Sequence, residues 1–214
     1  MSDRLEEREE NVRPEPEPDP EIPQLRTAEA EELAAEEAPE PEAQQEPEPE
    51  HAPGWFEVPA GYKVMTGSAD GAGRAVGVVV AKFNGDITSR LLERALEELE
   101  SAGVPRESVT IVPVPGAFEL PLAAMAMAKT RKYACVVALG CVVRGETAHF
   151  DFIAGEAASG LQLAAIETGV PVAFGVLTTE TIEQAEARID RVGDVVRGAL
   201  EMANVFQQLR AAAK

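Results

Sequence analysis

The chain has 214 residues, 38 acidic against 19 Lys and Arg, and a net charge of −19. Most of that charge lies up to Gly54, where 19 Asp/Glu meet 4 Arg (net −15); the rest carries 19 acidic and 15 basic residues (net −4). The absence of a basic patch, and of an apolar run near the roughly 20 residues of a membrane span, argues against nucleic-acid and membrane partners.

In chain order, residues 1–54 come first, with runs such as Pro14-Glu15-Pro16-Glu17-Pro18-Asp19-Pro20 and Glu46-Pro47-Glu48-Pro49-Glu50. Such a segment buries too little to offset its ordering entropy, so a disordered, extended acidic tail is expected. Thr27 to Ala38, rich in Ala and Glu, is expected to turn helical transiently. The N-terminus reads as neither a secretory signal nor a transit peptide. Residues 55–214 are expected to form one domain. Within it, Trp55 to Thr66 is short and mixed, and is expected to add a strand to a sheet edge of its own or another subunit.

The apolar run Arg74 to Phe83 predicts a strand buried on both faces, and Asn84-Gly85-Asp86 a turn. Ile87, Leu91, Leu92, Ala95, Leu96 and Leu99 recur at helical spacing until Gly103. A strand over Val109 to Val112, a helix over Glu119 to Lys129 and a strand over Tyr133 to Val143 follow. Next come a helix over Phe152 to Thr168, a strand over Val170 to Leu177, a helix opened by the box Thr181-Ile182-Glu183-Gln184, and a last helix from Asp190 to Ala213. Ala154, Ala157, Ala158 and Gly160 leave room for a close helix neighbour. Strands and helices alternating at this spacing predict a parallel α/β sheet covered on both faces. Cys135 and Cys141 would share one face of a strand, too far apart for a disulfide, as buried free thiols of a cytoplasmic protein.

In such a sheet the carboxyl ends of the strands share one edge, where ligands bind. Phe83, the Pro115–Glu119 loop, the Cys141–His149 loop and Leu177–Thr179 all fall there. Gly145, Thr147 and the helix start after His149 offer N–H groups, a hydroxyl and a positive dipole end to an anion. Glu119 either accepts ligand hydroxyls or stabilises its helix; His149 either moves protons near neutral pH or caps its helix. Phe83 is either a stacking face or a core aromatic. No metal-ligand spacing, dinucleotide fingerprint or nucleophile–base pair occurs.

These residues, in this order, resemble the lumazine synthase family of riboflavin biosynthesis. The matching segments are Phe83-Asn84, Pro113 to Glu119, Gly140 to Asp151, Gly155-Glu156-Ala157, Gly169 to Thr179 and Leu200 to Asn204. The resemblance implies a flavodoxin-like three-layer sandwich with a four-stranded parallel sheet flanked by helices. It implies a transferase that condenses 5-amino-6-(D-ribitylamino)uracil with 3,4-dihydroxy-2-butanone 4-phosphate to 6,7-dimethyl-8-ribityllumazine, without metal or redox cofactor. By motif, Phe83 would stack on the pyrimidinedione, and Ala117, Phe118 and Glu119 would hold the ribityl chain and ring edge. Cys141, Val142 and Val143 would line the ring through backbone groups, Glu146, Thr147 and Arg188 would bind phosphate, and His149 would transfer protons. The implied assembly is a homopentamer, with Phe174 and Arg188 reaching a neighbour's site; a hollow sixty-subunit shell, a smaller assembly and nothing further all stay open.

Two departures stand out. Ile189 to Val195 replaces a longer Gly/Lys-rich family connection, and Arg191 is a candidate substitute for its lysine. The acidic tail has no counterpart in the family core; it would coat a particle, recruit a basic partner or confer solubility. Two alternatives to the synthase are a weakly catalytic paralogue serving as assembly scaffold or flavin-binding protein, and an archaeal-type riboflavin synthase.

Overall fold

The computed structural model describes residues 56–213; the expected acidic tail lies outside the described residues, as does the helix over Thr27 to Ala38. A compact unit begins at Val58. Its elements are β1 (Val76–Ala81), α1 (Gly85–Ser101), β2 (Val109–Val114), α2 (Leu120–Lys129), β3 (Cys135–Val143), α3 (His149–Thr168), β4 (Val172–Thr179), α4 (Ile182–Glu186) and α5 (Val192–Ala212). Short 3-10 turns precede β2, α2 and α5.

The four strands lie in the order β2-β1-β3-β4, every neighbouring pair parallel. Val76 stands between Val109 and Cys135, and Val136 pairs with Val172. β1 is buried along its whole length, and β3 up to Cys141, which accounts for their unbroken apolar sequences. Their side chains alternate between two cores. Val76, Val78, Cys135, Val137, Leu139 and Cys141 pack under α1 and α5, while Val79, Ala81, Val136 and Ala138 pack under α2 and α3. The parallel sheet between two helical layers is the expected architecture, and both thiols are free, buried and in the same core.

Element ends differ from the sequence reading where side chains, not periodicity, set them. Asn84 takes a left-handed conformation (φ 57°), which lets α1 start at Gly85, two residues before its first apolar position. α3 starts at His149, three residues before the expected Phe152. The Thr181 hydroxyl caps α4 by accepting the Gln184 N–H at 3.3 Å. The region 56–75 holds no strand, so the edge strand expected from Trp55 to Thr66 is missing from this sheet. A turn at Ala60–Gly61, where Gly61 has φ 96°, interrupts the only alternating stretch.

Candidate active site

The order β2-β1-β3-β4 means that the chain leaves β1 toward one edge and β3 toward the other, opening a crevice at the carboxyl ends between them. Hydrogen bonds lace the loops around it together. Lys82 N donates to Val114 O at 2.8 Å and Phe83 N to Pro115 O at 3.1 Å, joining the ends of β1 and β2. Asn84 Nδ2 donates to Cys141 O at 2.9 Å, joining β1 to β3. Glu119 Oε2 accepts Gly116 N at 2.9 Å, so one carboxylate oxygen closes its own loop while the residue remains half-buried.

The cleft so formed has a volume of about 510 Å³, within the range of small-molecule sites. Phe83, Ala117, Phe118, Glu119, Cys141, Val142, Val143, Thr147 and His149 all line it, as do Gly145 and Phe150. Phe83 is 71% exposed, a ring face presented to solvent rather than to the core. His149 is the exposed first residue of α3, and its N–H donates to Thr147 Oγ1 at 3.4 Å. The Gly145–Thr147 turn therefore sits at the positive end of a 20-residue helix, a favourable place for an anion.

Burial pushes the Cys141 thiol up from its ordinary pKa and takes Cys135 to about 12. Both stay protonated at neutral pH, which leaves no thiolate nucleophile in the cleft. Among the described residues no group of three His, Cys, Asp or Glu could hold a metal ion, and no helix is long and apolar enough to cross a membrane.

Three expected residues stand apart from the lining. Glu146 is on the Gly145–Thr147 turn but faces solvent. Phe174 sits on edge strand β4, 40% exposed, in an apolar trough of about 540 Å³ with Ile166, Met202 and Phe206. Arg188 Nη1 donates to Gln184 O at 2.9 Å, at the end of α4. Arg191 closes the 3-10 turn before α5, its N–H donating to Arg188 O at 3.1 Å.

The profile of the family described as 6,7-dimethyl-8-ribityllumazine synthase matches residues 73–207. The chain belongs to that family. A 6,7-dimethyl-8-ribityllumazine synthase of Desulfatibacillum aliphaticivorans is 42% identical over 156 residues, covering 69% of this chain and 99% of that protein. The stretch shared with lumazine synthases takes in all four strands and the three loops of the cleft.

The candidate set drawn from the sequence omitted Asn84, Phe150 and Ile153, which the structure adds to the lumazine synthase cleft. The sequence marks Asn84-Gly85 as a turn at the strand end, but nothing in it shows that the Asn84 amide reaches across to β3. Phe150, Ile153 and the buried Ala157 fall at helical spacing, a signal that starting the helix at Phe152 concealed.

Proposed function

We propose that this chain condenses 5-amino-6-(D-ribitylamino)uracil with 3,4-dihydroxy-2-butanone 4-phosphate to give 6,7-dimethyl-8-ribityllumazine, phosphate and two waters. The observation that carries the reading is that Phe83, Glu119, Thr147 and His149, from four separate places in the sequence, line one cleft at the β1/β3 crossing point. Family membership supplies the reaction.

In this reading Phe83 stacks on the pyrimidinedione, and the Ala117–Glu119 turn holds the ribityl chain, Glu119 accepting from its hydroxyls. Main-chain groups of Cys141, Val142 and Val143 meet the ring edge. The main-chain N–H of Glu146, the Thr147 hydroxyl and the amino end of α3 receive the phosphate. The amine attacks the ketone and loses water to give the imine, phosphate is eliminated to leave an enol that tautomerises to a ketone, and the second nitrogen adds to that carbonyl and loses a second water to close the ring. His149 carries protons at each step. Holding both reactants in one cleft supplies much of the rate as saved entropy.

Phe174 and Arg188 complete the site from a neighbouring copy in a homopentamer. Supporting this, neither lines the cleft of its own chain, and the layer of α2 and α3 exposes Leu122, Phe152 and Ile166 at 76%, 69% and 71%. Two buried free thiols suit a reducing cytoplasm.

The test is to mix purified protein with both substrates and follow lumazine absorbance or fluorescence. Turnover requiring both substrates is expected; failure to form lumazine, with the protein folded, overturns the reading. Mixing refolded His149→Ala and Arg188→Ala chains should restore activity that neither has alone, because each supplies the half that the other lacks. No recovery in mixed oligomers would place Arg188 outside the shared site.

A further inference from the structure

We propose that Arg144 is a positioning residue for His149: it fastens the loop 145–148 and the first turn of α3 to the end of β4, and so fixes where the imidazole stands. The inference rests on the reading above that His149 carries the protons.

Arg144 is the first residue after β3, and its guanidinium is held by two carboxylates and a ring face. Its N–H donates to Thr179 O at 2.9 Å, at the end of β4. Nη1 and Nη2 donate to the two oxygens of Asp151 at 3.3 and 3.1 Å. Nε donates to Glu180 Oε1 at 2.9 Å, and Glu180 is itself held, its N–H donating to Gln184 Oε1 at 3.0 Å. The guanidinium carbon lies 4.1 Å from the centre of the Phe150 ring. Phe150 and Asp151 are the two residues directly after His149, so Arg144 holds the turn that carries the imidazole from two sides.

Little else holds that turn. Among the described residues, 145–148 hydrogen-bond only to the first turn of α3: Thr147 Oγ1 accepts from His149 N, and Ala148 O from Asp151 and Phe152 N. The Arg144 partners Asp151 and Glu180 are both 60% exposed. Ion pairs in such surroundings add little to stability, so the consequence of this network is geometric. Nor is Arg144 aimed at a phosphate, since Nε, Nη1 and Nη2 are all committed to carboxylates. Lysine could not replace it, because one ammonium cannot serve a two-pronged carboxylate, a second carboxylate and a ring face together.

The experiment is a double-mutant cycle on the assembled protein. Arg144→Gln is expected to lower kcat at least about tenfold with both KM values within about twofold and the melting temperature near wild type. In a His149→Ala background the same substitution should cost less than about twofold, since the group that it positions is gone. Arg144→Lys should fail to restore kcat. Should Arg144→Gln not fold, Glu180→Gln carries the test: a smaller fall in kcat, not KM, that vanishes in the His149→Ala background.

If His149→Ala turns over like wild type, the reading of the site fails, and this inference with it. If His149→Ala is slow but Arg144→Gln is not, or costs as much with the imidazole absent, positioning is overturned while the site stands. A rise in KM for the phosphate substrate alone would make Arg144 a phosphate contact and overturn it too.

Discussion

The layer of α1 and α5 and the layer of α2 and α3 cover the same sheet by different means. The first buries large aliphatic side chains, among them Leu91, Leu99, Val196 and Leu200. It also joins its helices through Glu98, which accepts from Arg94 at 2.7 Å and Arg197 at 2.6 Å. The second buries Leu120, Met127 and Leu161 but is otherwise built from Ala124, Ala128, Ala157 and Ala164, with Gly160 against Pro121. A Cβ on Gly160 would stand 2.6 Å from the Pro121 Cβ. More large side chains, and ion pairs between its helices, make the first layer cohesive, whereas the close Gly160–Pro121 approach makes the second exact in spacing. It is the second that carries His149 at the start of α3 and Glu119 just before α2. Cohesion and placement are thus assigned to opposite faces of one sheet.

The largest effect that would sharpen this contrast is on rate. His149→Ala should lower kcat by about 10²–10⁴-fold, the range for a general acid–base group, with the thermal unfolding curve unmoved. A drop in stability at unchanged kcat would break the separation. On the cohesive face, Leu91→Ala opens a cavity and should cost about 2–5 kcal/mol in denaturant unfolding, with kcat per folded chain unaltered. Gly160→Val on the placing face should cost about 1–3 kcal/mol, but with a fall in kcat as well, because α3 must move away from Pro121. Equal kinetic effects of the two substitutions would erase the distinction.

The smallest effect concerns the ion pairs. Arg197→Ala should cost about 1 kcal/mol or less at pH 7. The Arg197 guanidinium holds the Glu98 carboxyl below its ordinary pKa, with Arg94 assisting and burial opposing. A depressed carboxylate contributes stability that is complete above its unfolded value and is lost as pH falls through the folded one. The gap between wild type and Arg197→Ala should therefore persist at neutral pH and close below about pH 4. Urea titrations at several pH values would show it, and a gap that widens in acid would contradict the assignment.

The sheet was legible because β1 and β3 are buried on both faces and so carry unbroken apolar runs, and because Leu91, Ala95 and Leu99 keep helical period. Helix starts were less so. Asn84 and His149 open α1 and α3 from polar positions that periodicity does not see, and the strand expected over Trp55 to Thr66 does not join this chain's own sheet, where Gly61 makes a turn. In the site, loops at strand ends brought Phe83, Glu119, Thr147 and His149 together as expected from topology. The Arg144 network escaped notice because its partners, Phe150, Asp151 and Glu180, meet only once β3, α3 and β4 are assembled.

The bonds from Lys82 and Phe83 to the β2 end use main-chain atoms alone, and Asn84 reaches the carbonyl of Cys141 rather than its thiol. Scaffolding of that kind is indifferent to most of the side chains it displays. A rim side chain such as Phe118 can therefore be redesigned for other flat heterocycles without loosening the frame beneath it.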